Sequence, residues 1–156
     1  MEQLNEYRNQ LLARLEESAR EFRAACLSVK EPNAPHADGW SVHQLAVHTR
    51  DVHTMVYGAR ILRTITEENP LFENFDGDAW MAGHYDPDEP LASIVDGLAA
   101  SVSETVAALR PLAPEAWSRP SRHETYGGGF TTQTWVERAL AHMEEHLETI
   151  KQQGGK

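Results

Sequence analysis

Near the C-terminus of this 156-residue chain two histidines stand four residues apart, in Ala141-His142-Met143-Glu144-Glu145-His146-Leu147. On a helix that spacing puts both imidazoles on one face, one turn above the other. Such a pair can grip one metal ion. A third donor must come from elsewhere, and the best candidate is His48, in Leu45-Ala46-Val47-His48-Thr49-Arg50-Asp51. His48 shares a stripe with Leu45, Val52, Met55, Ala59 and Leu62, at steps of three and four, so it points toward the core. A lone histidine on such a face is more often a core histidine with a hydrogen-bond partner. Three imidazoles drawn from two helices favour the metal.

The spacing excludes neighbouring chemistries. A zinc-protease helix needs Glu directly after its first histidine, and Met143 occupies that place. A carboxylate di-iron bundle needs Glu three residues before histidine. The residues three before His48, His53, His142 and His146 are Leu45, Arg50, Ala139 and Met143. A mononuclear, histidine-rich centre remains. Neutral nitrogen donors suit zinc or nickel first, with iron, cobalt or manganese as alternatives, rather than magnesium or calcium. Three protein ligands also leave positions open for water or substrate, as in catalytic sites.

Other polar residues carry two readings each. Asp51, three residues after His48, could orient a ligand imidazole or accept a proton; it could equally be a solvated helix charge. Glu145 has the same two readings and leans to the solvated one. Tyr57 and Arg60 could line a cleft, or serve as packing and surface residues. His53 lies about 140° round the helix from His48. His36, His84 and His123 fall in loops and are expected to be exposed. Gly127-Gly128-Gly129 lacks a following Lys-Ser/Thr, so it is no phosphate loop; it suits a tight turn or hinge.

The elements that must position these groups are four amphipathic helices. The first runs from about Glu2 to Val29, with Leu4, Tyr7, Leu11, Leu15, Phe22 and Cys26 on one side; Pro32 and Pro35 end it. The second opens at Ser41, whose partner Gln44 makes a capping-box pattern, and runs to about Thr66. A long, aromatic connection follows to about Pro87, predicted to pack over one end of the bundle. The third helix begins after Asp88-Glu89-Pro90 and carries Leu91, Ile94, Val95, Leu98, Val102, Thr105 and Leu109. A second loop spans 113–130. The fourth helix runs from about Thr131 or Thr132 to Gln152. The expected fold is an all-α four-helix bundle with long connecting loops, one domain over 1–152, with a disordered tail at 153–156. Long connections leave room for crossovers.

Bulk composition narrows the partners. The net charge of −10 argues against nucleic acid and anionic membrane surfaces. A single cysteine, Cys26, excludes an intrachain disulfide and reads as a buried thiol. The start, Met-Glu-Gln-Leu-Asn-Glu, is too polar for a signal peptide, and no apolar run approaches about 20 residues. A soluble cytoplasmic protein acting on a small molecule is the expectation.

From about Gly39 to Ile150 the chain resembles the DinB-like, or YfiT-like, family of metalloenzymes. The resemblance rests on Gly39-Trp40-Ser41 leading a helix, then His48, Asp51, His53 and Tyr57. Thr66-Glu67-Glu68-Asn69-Pro70, Phe75-Asp76-Gly77-Asp78-Ala79-Trp80 and His142-x-x-x-His146-Leu-x-x-Ile150 extend it. It implies a four-helix bundle, often a homodimer, with a metal on one histidine of the second helix and two of the fourth. Those positions match His48, His142 and His146. It also implies transferases that join low-molecular-weight thiols to electrophiles. The Glu144-Glu145 pair departs from relatives that carry more histidine there, and raises the local negative charge. Three functions follow as expectations. The first is a metal-dependent transferase adding a low-molecular-weight thiol to a small electrophile. The second is a hydrolase using metal-bound hydroxide. The third is a non-catalytic dimeric helical module that binds a ligand or acts in a stress response.

Overall fold

The computed structural model describes residues 1–36 and 39–154. Helix α1 spans Glu2–Leu27, and its apolar spacing buries Leu11, Leu12, Leu15, Phe22 and Cys26. Each fully buried Leu or Phe contributes about 1.5–3 kcal/mol of transfer free energy. Leu4 and Tyr7, expected in the same stripe, remain partly exposed at 39% each. Tyr7 is instead tethered by its hydroxyl, which donates to the Glu137 carboxylate.

The second helix is three pieces on one axis: α2 (Val42–Val52), a π-turn (His53–Tyr57) and α3 (Gly58–Thr66). Its start is the capping box read from the sequence. Gln44 N–H donates to Ser41 Oγ at 3.1 Å, and Ser41 N–H to Gln44 Oε1 at 2.9 Å. The wide turn adds a residue and resets the helical phase. Met55, expected inside, is therefore 40% exposed, while Val56 and Ile61 are buried. Gly58 makes this turn possible, because a Cβ there would stand 2.8 Å from the His53 carbonyl oxygen.

Helix α4 (Gly77–His84) lies within the first long connection, capped by Asp76, whose Oδ1 accepts from Ala79 N–H at 3.1 Å. Helix α5 spans Leu91–Leu109 and α6 spans Thr132–Gly154. Helix α6 thus continues two residues into the expected tail, whose last two residues lie outside those described. Helices α5 and α6 both pack along α1, and α2 and α3 pack against the other flank of the α5–α6 pair. Consecutive long helices α1 and α2 are therefore diagonal rather than adjacent. The first connection crosses the bundle, so the order is not a simple up-and-down one.

Both long loops contain strands that helical periodicity does not announce. Strands β1 (Leu71–Phe72), β2 (Pro120–His123) and β3 (Gly127–Thr131) form a sheet in that order. β1 runs parallel to β2, and β2 antiparallel to β3. This sheet brings Phe72 and Phe130 onto Trp135 of α6, with ring centroids 5.7 and 4.8 Å away.

Contrary to the sequence expectation, α5 meets the length and hydropathy of a membrane crossing. It is the one described helix to do so. It nevertheless packs Ile94, Val95, Leu98, Val102, Val106 and Leu109 into the core, with Asp96 and Glu104 on its outer side.

Candidate metal centre

The capping box at Ser41 sets the phase of α2. With Leu45 and Ala46 buried in the core, His48 falls in the seam where α2 meets α6. On α6, Met143 and Leu147 are buried, which holds His142 and His146 at the edge of the same seam. His142 Nε2 lies 3.3 Å from His48 Nε2 and 3.0 Å from His146 Nε2. All three donor nitrogens lie within 4.8 Å of one another. The structure thus brings together the three histidines predicted as ligands.

These nitrogens fit a metal on two grounds. Nitrogens about 3 Å apart match neighbouring ligands of one cation with metal–nitrogen bonds of about 2.0–2.1 Å. A neutral imidazole Nε2 either donates one proton or offers one lone pair. His142 Nε2 faces two nitrogens at once and can satisfy only one of them well. A cation accepting three lone pairs would satisfy all of them. Protonation is also opposed. Burial, and then the charge of His146, push His48 down to about 4. Burial, then His146 and His48, push His142 to about 3. Burial alone takes His146 to about 4. At neutral pH all three are neutral bases ready to ligate.

The walls are as specific as the ligands. The Trp40 ring lies 4.7 Å from that of His48, and the Tyr57 ring 5.3 Å from that of His142. Gly77, at the start of α4, presses on His48. A Cβ there would meet His48 Cε1 at 3.2 Å and Nδ1 at 3.5 Å. The proton affinity of the Tyr57 hydroxyl is raised chiefly by burial.

Asp51 does not hydrogen-bond a ligand imidazole. Its Oδ1 accepts from Arg50 Nε at 2.9 Å and its Oδ2 from Trp80 Nε1 at 3.1 Å. It ties α4 to α2, and so holds the cover that carries Gly77. The two glutamates divide. Glu144 turns to α1, where it accepts from Arg14 Nη2 at 3.1 Å. Glu145 is exposed and lines a cleft of about 320 Å³ with Trp40, Leu45, His146 and Thr149.

The remaining histidines stand apart. His43 Nδ1 lies 2.6 Å from the Tyr85 hydroxyl and its Nε2 2.7 Å from the Glu89 carbonyl. His53 is buried, with Nε2 3.3 Å from Thr105 Oγ1 and, among the described residues, no partner for Nδ1. His84 belongs to α4 rather than a loop, and stacks on Trp80 at 3.5 Å. His123, expected to be exposed, is buried in β2, where its Nδ1 accepts from Thr125 N–H at 3.1 Å.

Three neighbours escape the sequence reading. Gly77 and Asp78 sit in the quoted Asp76-Gly77-Asp78 segment, but contact across loops leaves no periodic signal. Asp78 does act on His48, raising its proton affinity against the larger effect of burial. Arg138 is findable, since it stands four residues before His142 and extends the histidine ladder by one turn.

Residues 3–150 match the profile of the DinB superfamily. The chain belongs to that superfamily. Among solved structures, this DinB protein is similar to YfiT from Bacillus subtilis, described as a probable metal-dependent hydrolase with an unusual four-helix bundle topology. The TM-score is 0.76 at 22% identity, over 94% of this chain and 87% of that one. The match supports the bundle and its crossed helix order. A protein of Oceanobacillus iheyensis, provisionally named a metal-dependent hydrolase, is 33% identical over 89 residues. That alignment covers 57% of this chain, and the chain spans about half of that relative's length, 51%.

Proposed function

We propose that this DinB protein is a mononuclear metal-dependent enzyme in which His48, His142 and His146 hold one divalent transition metal. Zinc or nickel comes first, before iron, cobalt or manganese. The observation that carries the reading is the convergence of three neutral imidazole nitrogens at 3.0 and 3.3 Å. Such a cation, when bound, lowers the proton affinity of a thiol or water presented to it.

The reaction we assign is transfer of a low-molecular-weight thiol to a small electrophile. The thiol is external, because Cys26 is fully buried and burial raises its proton affinity to about 12. Trp40 and Tyr57 wall the centre and orient the reactants. The Glu145 carboxylate, at the rim of the cleft, takes the thiol proton. The sulfur–carbon bond then forms as the bond to the leaving group breaks, and the leaving group departs with that electron pair. Asp51 contributes by position, through Trp80 and α4.

The test is turnover of common thiol cofactors with a chlorinated aromatic acceptor by metal-loaded protein. Activity should vanish in His48→Ala. A retained rate in that variant removes the proposal. Hydrolysis is the second reading, favoured by the names given to both relatives. Turnover of esters or amides without added thiol would select it.

A further inference from the structure

Two arginines stand beside the Tyr57–His142 pair with no carboxylate among the described residues to neutralise them. Arg60 follows Tyr57 by three residues and Arg138 precedes His142 by four. Arg60 is therefore about one helical turn from a wall of the metal centre, and Arg138 about one turn from a proposed ligand. Arg60 Cζ lies 4.9 Å from the Trp135 ring, and Arg138 Cζ 5.2 Å from the Phe130 ring. Those rings are stacked, with centroids 4.8 Å apart and planes 14° apart. One aromatic platform thus carries both guanidinium groups.

The net charge is −10. Arg14, Arg20, Arg23, Arg50, Arg63 and Arg110 pair with Asp or Glu. Among the described residues Arg8, Arg119 and Arg122 pair with neither, but each makes two hydrogen bonds to amide or backbone carbonyl oxygens. Arg60 and Arg138 also lack a carboxylate partner among the described residues. Arg60 donates once, from Nη2 to the Glu73 carbonyl at 2.8 Å, which leaves most of its fork free. Burial is the main cause that lowers its proton affinity, and the charge of Arg138 adds to it, so two like charges are held close in a partly dry site. Asp78, Asp51 and Glu145 act on His48; Arg60 and Arg138 act on Tyr57, with Glu145 opposing them. Arg60 further lines a cleft of about 420 Å³ whose wall mixes Met55, Val56 and Phe72 with Arg63, Glu73 and Asn74. Within it the free fork of Arg60 beside apolar side chains suits a carboxylate or other oxyanion on an apolar body.

We propose that Arg60 and Arg138 seat an anionic group of the small molecule processed at the three-histidine centre, so that the substrate is an organic acid. The identity of the reacting centre rests on the function proposed above; the anion seat itself does not. The acid group binds on the Tyr57 side, and the reacting carbon lies toward the histidines.

Benzoate and its neutral counterpart benzamide test the seat. Each is titrated into metal-free and zinc-loaded protein, followed by calorimetry and by the arginine Nε–H resonances. Benzoate should bind in both forms and shift the Arg60 and Arg138 signals, with benzamide about tenfold weaker or worse. Arg60→Gln and Arg138→Gln should each weaken benzoate about tenfold with zinc content unchanged. Arg60→Lys, which keeps the charge over the ring, should restore part of the discrimination if the glutamine variant disturbs packing. Equal binding of the two probes by the wild type, or unchanged benzoate binding in the double glutamine variant, overturns the seat. A wild-type chain that takes up no zinc yet still discriminates the probes sinks the metal reading alone.

Discussion

His48 Nε2 and His142 Nε2 face each other across 3.3 Å although 94 positions separate them along the chain. The packing of α2 on α6 sets that distance, and local sequence has no say in it. Both rings are half-buried, and burial keeps them uncharged at neutral pH, so their lone pairs are turned toward one another in the seam. A cation of the kind proposed would satisfy them together, and removal of any one ring should be felt by the other two.

Alanine at His48, His142 or His146 should therefore reduce bound zinc from about one per chain to near zero. With free metal at about 100 times its dissociation constant, the wild type should gain about 2.7 kcal/mol of stability and each variant almost none. Elemental analysis of untagged protein and melting with and without chelator check this. A variant that keeps its zinc is not missing a ligand.

Gly77→Ala probes the contact between α4 and the centre. The added methyl stands 3.2 Å from His48 Cε1, so either the ring or the start of α4 must move. Metal affinity should fall about tenfold, the lower end for disturbance of a ligand's supports. Melting of the metal-free protein should hardly change, since no core residue is displaced. Competition with a coloured chelator measures the affinity, and an unaltered constant would detach α4 from the site.

Trp80→Phe keeps an aromatic ring on His84 but removes the N–H that reaches Asp51 Oδ2 at 3.1 Å. A hydrogen bond to a charged group contributes about 1.5–3 kcal/mol. Local opening of α4 should become at least about tenfold more frequent, read as faster amide exchange at residues 80–84. Exchange rates in α1 should stay unchanged. Equal protection in variant and wild type would show that Asp51 holds nothing in place.

Acid should weaken the fold through His53. Burial holds its folded value down at about 4, against roughly 6.5 in the unfolded chain. Between those values the unfolded state carries the extra proton. The contribution is thus complete above about pH 6.5 and is lost as pH falls toward 4. In metal-free protein, His53→Gln should flatten the fall in unfolding free energy by about 1 kcal/mol per pH unit. Denaturant titrations from about pH 4 to 7 give the slopes, and parallel slopes would refute the assignment.

Much of the bundle is legible because periodicity is local. Ser41 and Gln44 announce a helix start within four residues, and the structure shows both bonds of the box. Helix α5 is as plain, since Ile94, Leu98, Val102 and Leu109 recur at helical steps and are all buried. The errors have local causes too. A regular wheel places Met55 inside because it does not anticipate the π-turn at His53–Tyr57. The strands leave little signal, since β1 has two residues and β3 opens with three glycines.

By itself the sequence determined the donor types, the paired spacing of His142 and His146 and the apolar stripe that sends His48 inward. These follow from the pitch of a helix, which neighbouring residues specify. Tertiary structure alone decided that the three nitrogens meet, that Asp51 serves Trp80 and Arg50 rather than an imidazole, and that Arg60 and Arg138 share one aromatic platform. Those relationships depend on how helices and loops pack at long range, and side-chain spacing along one segment carries no record of a partner many turns away.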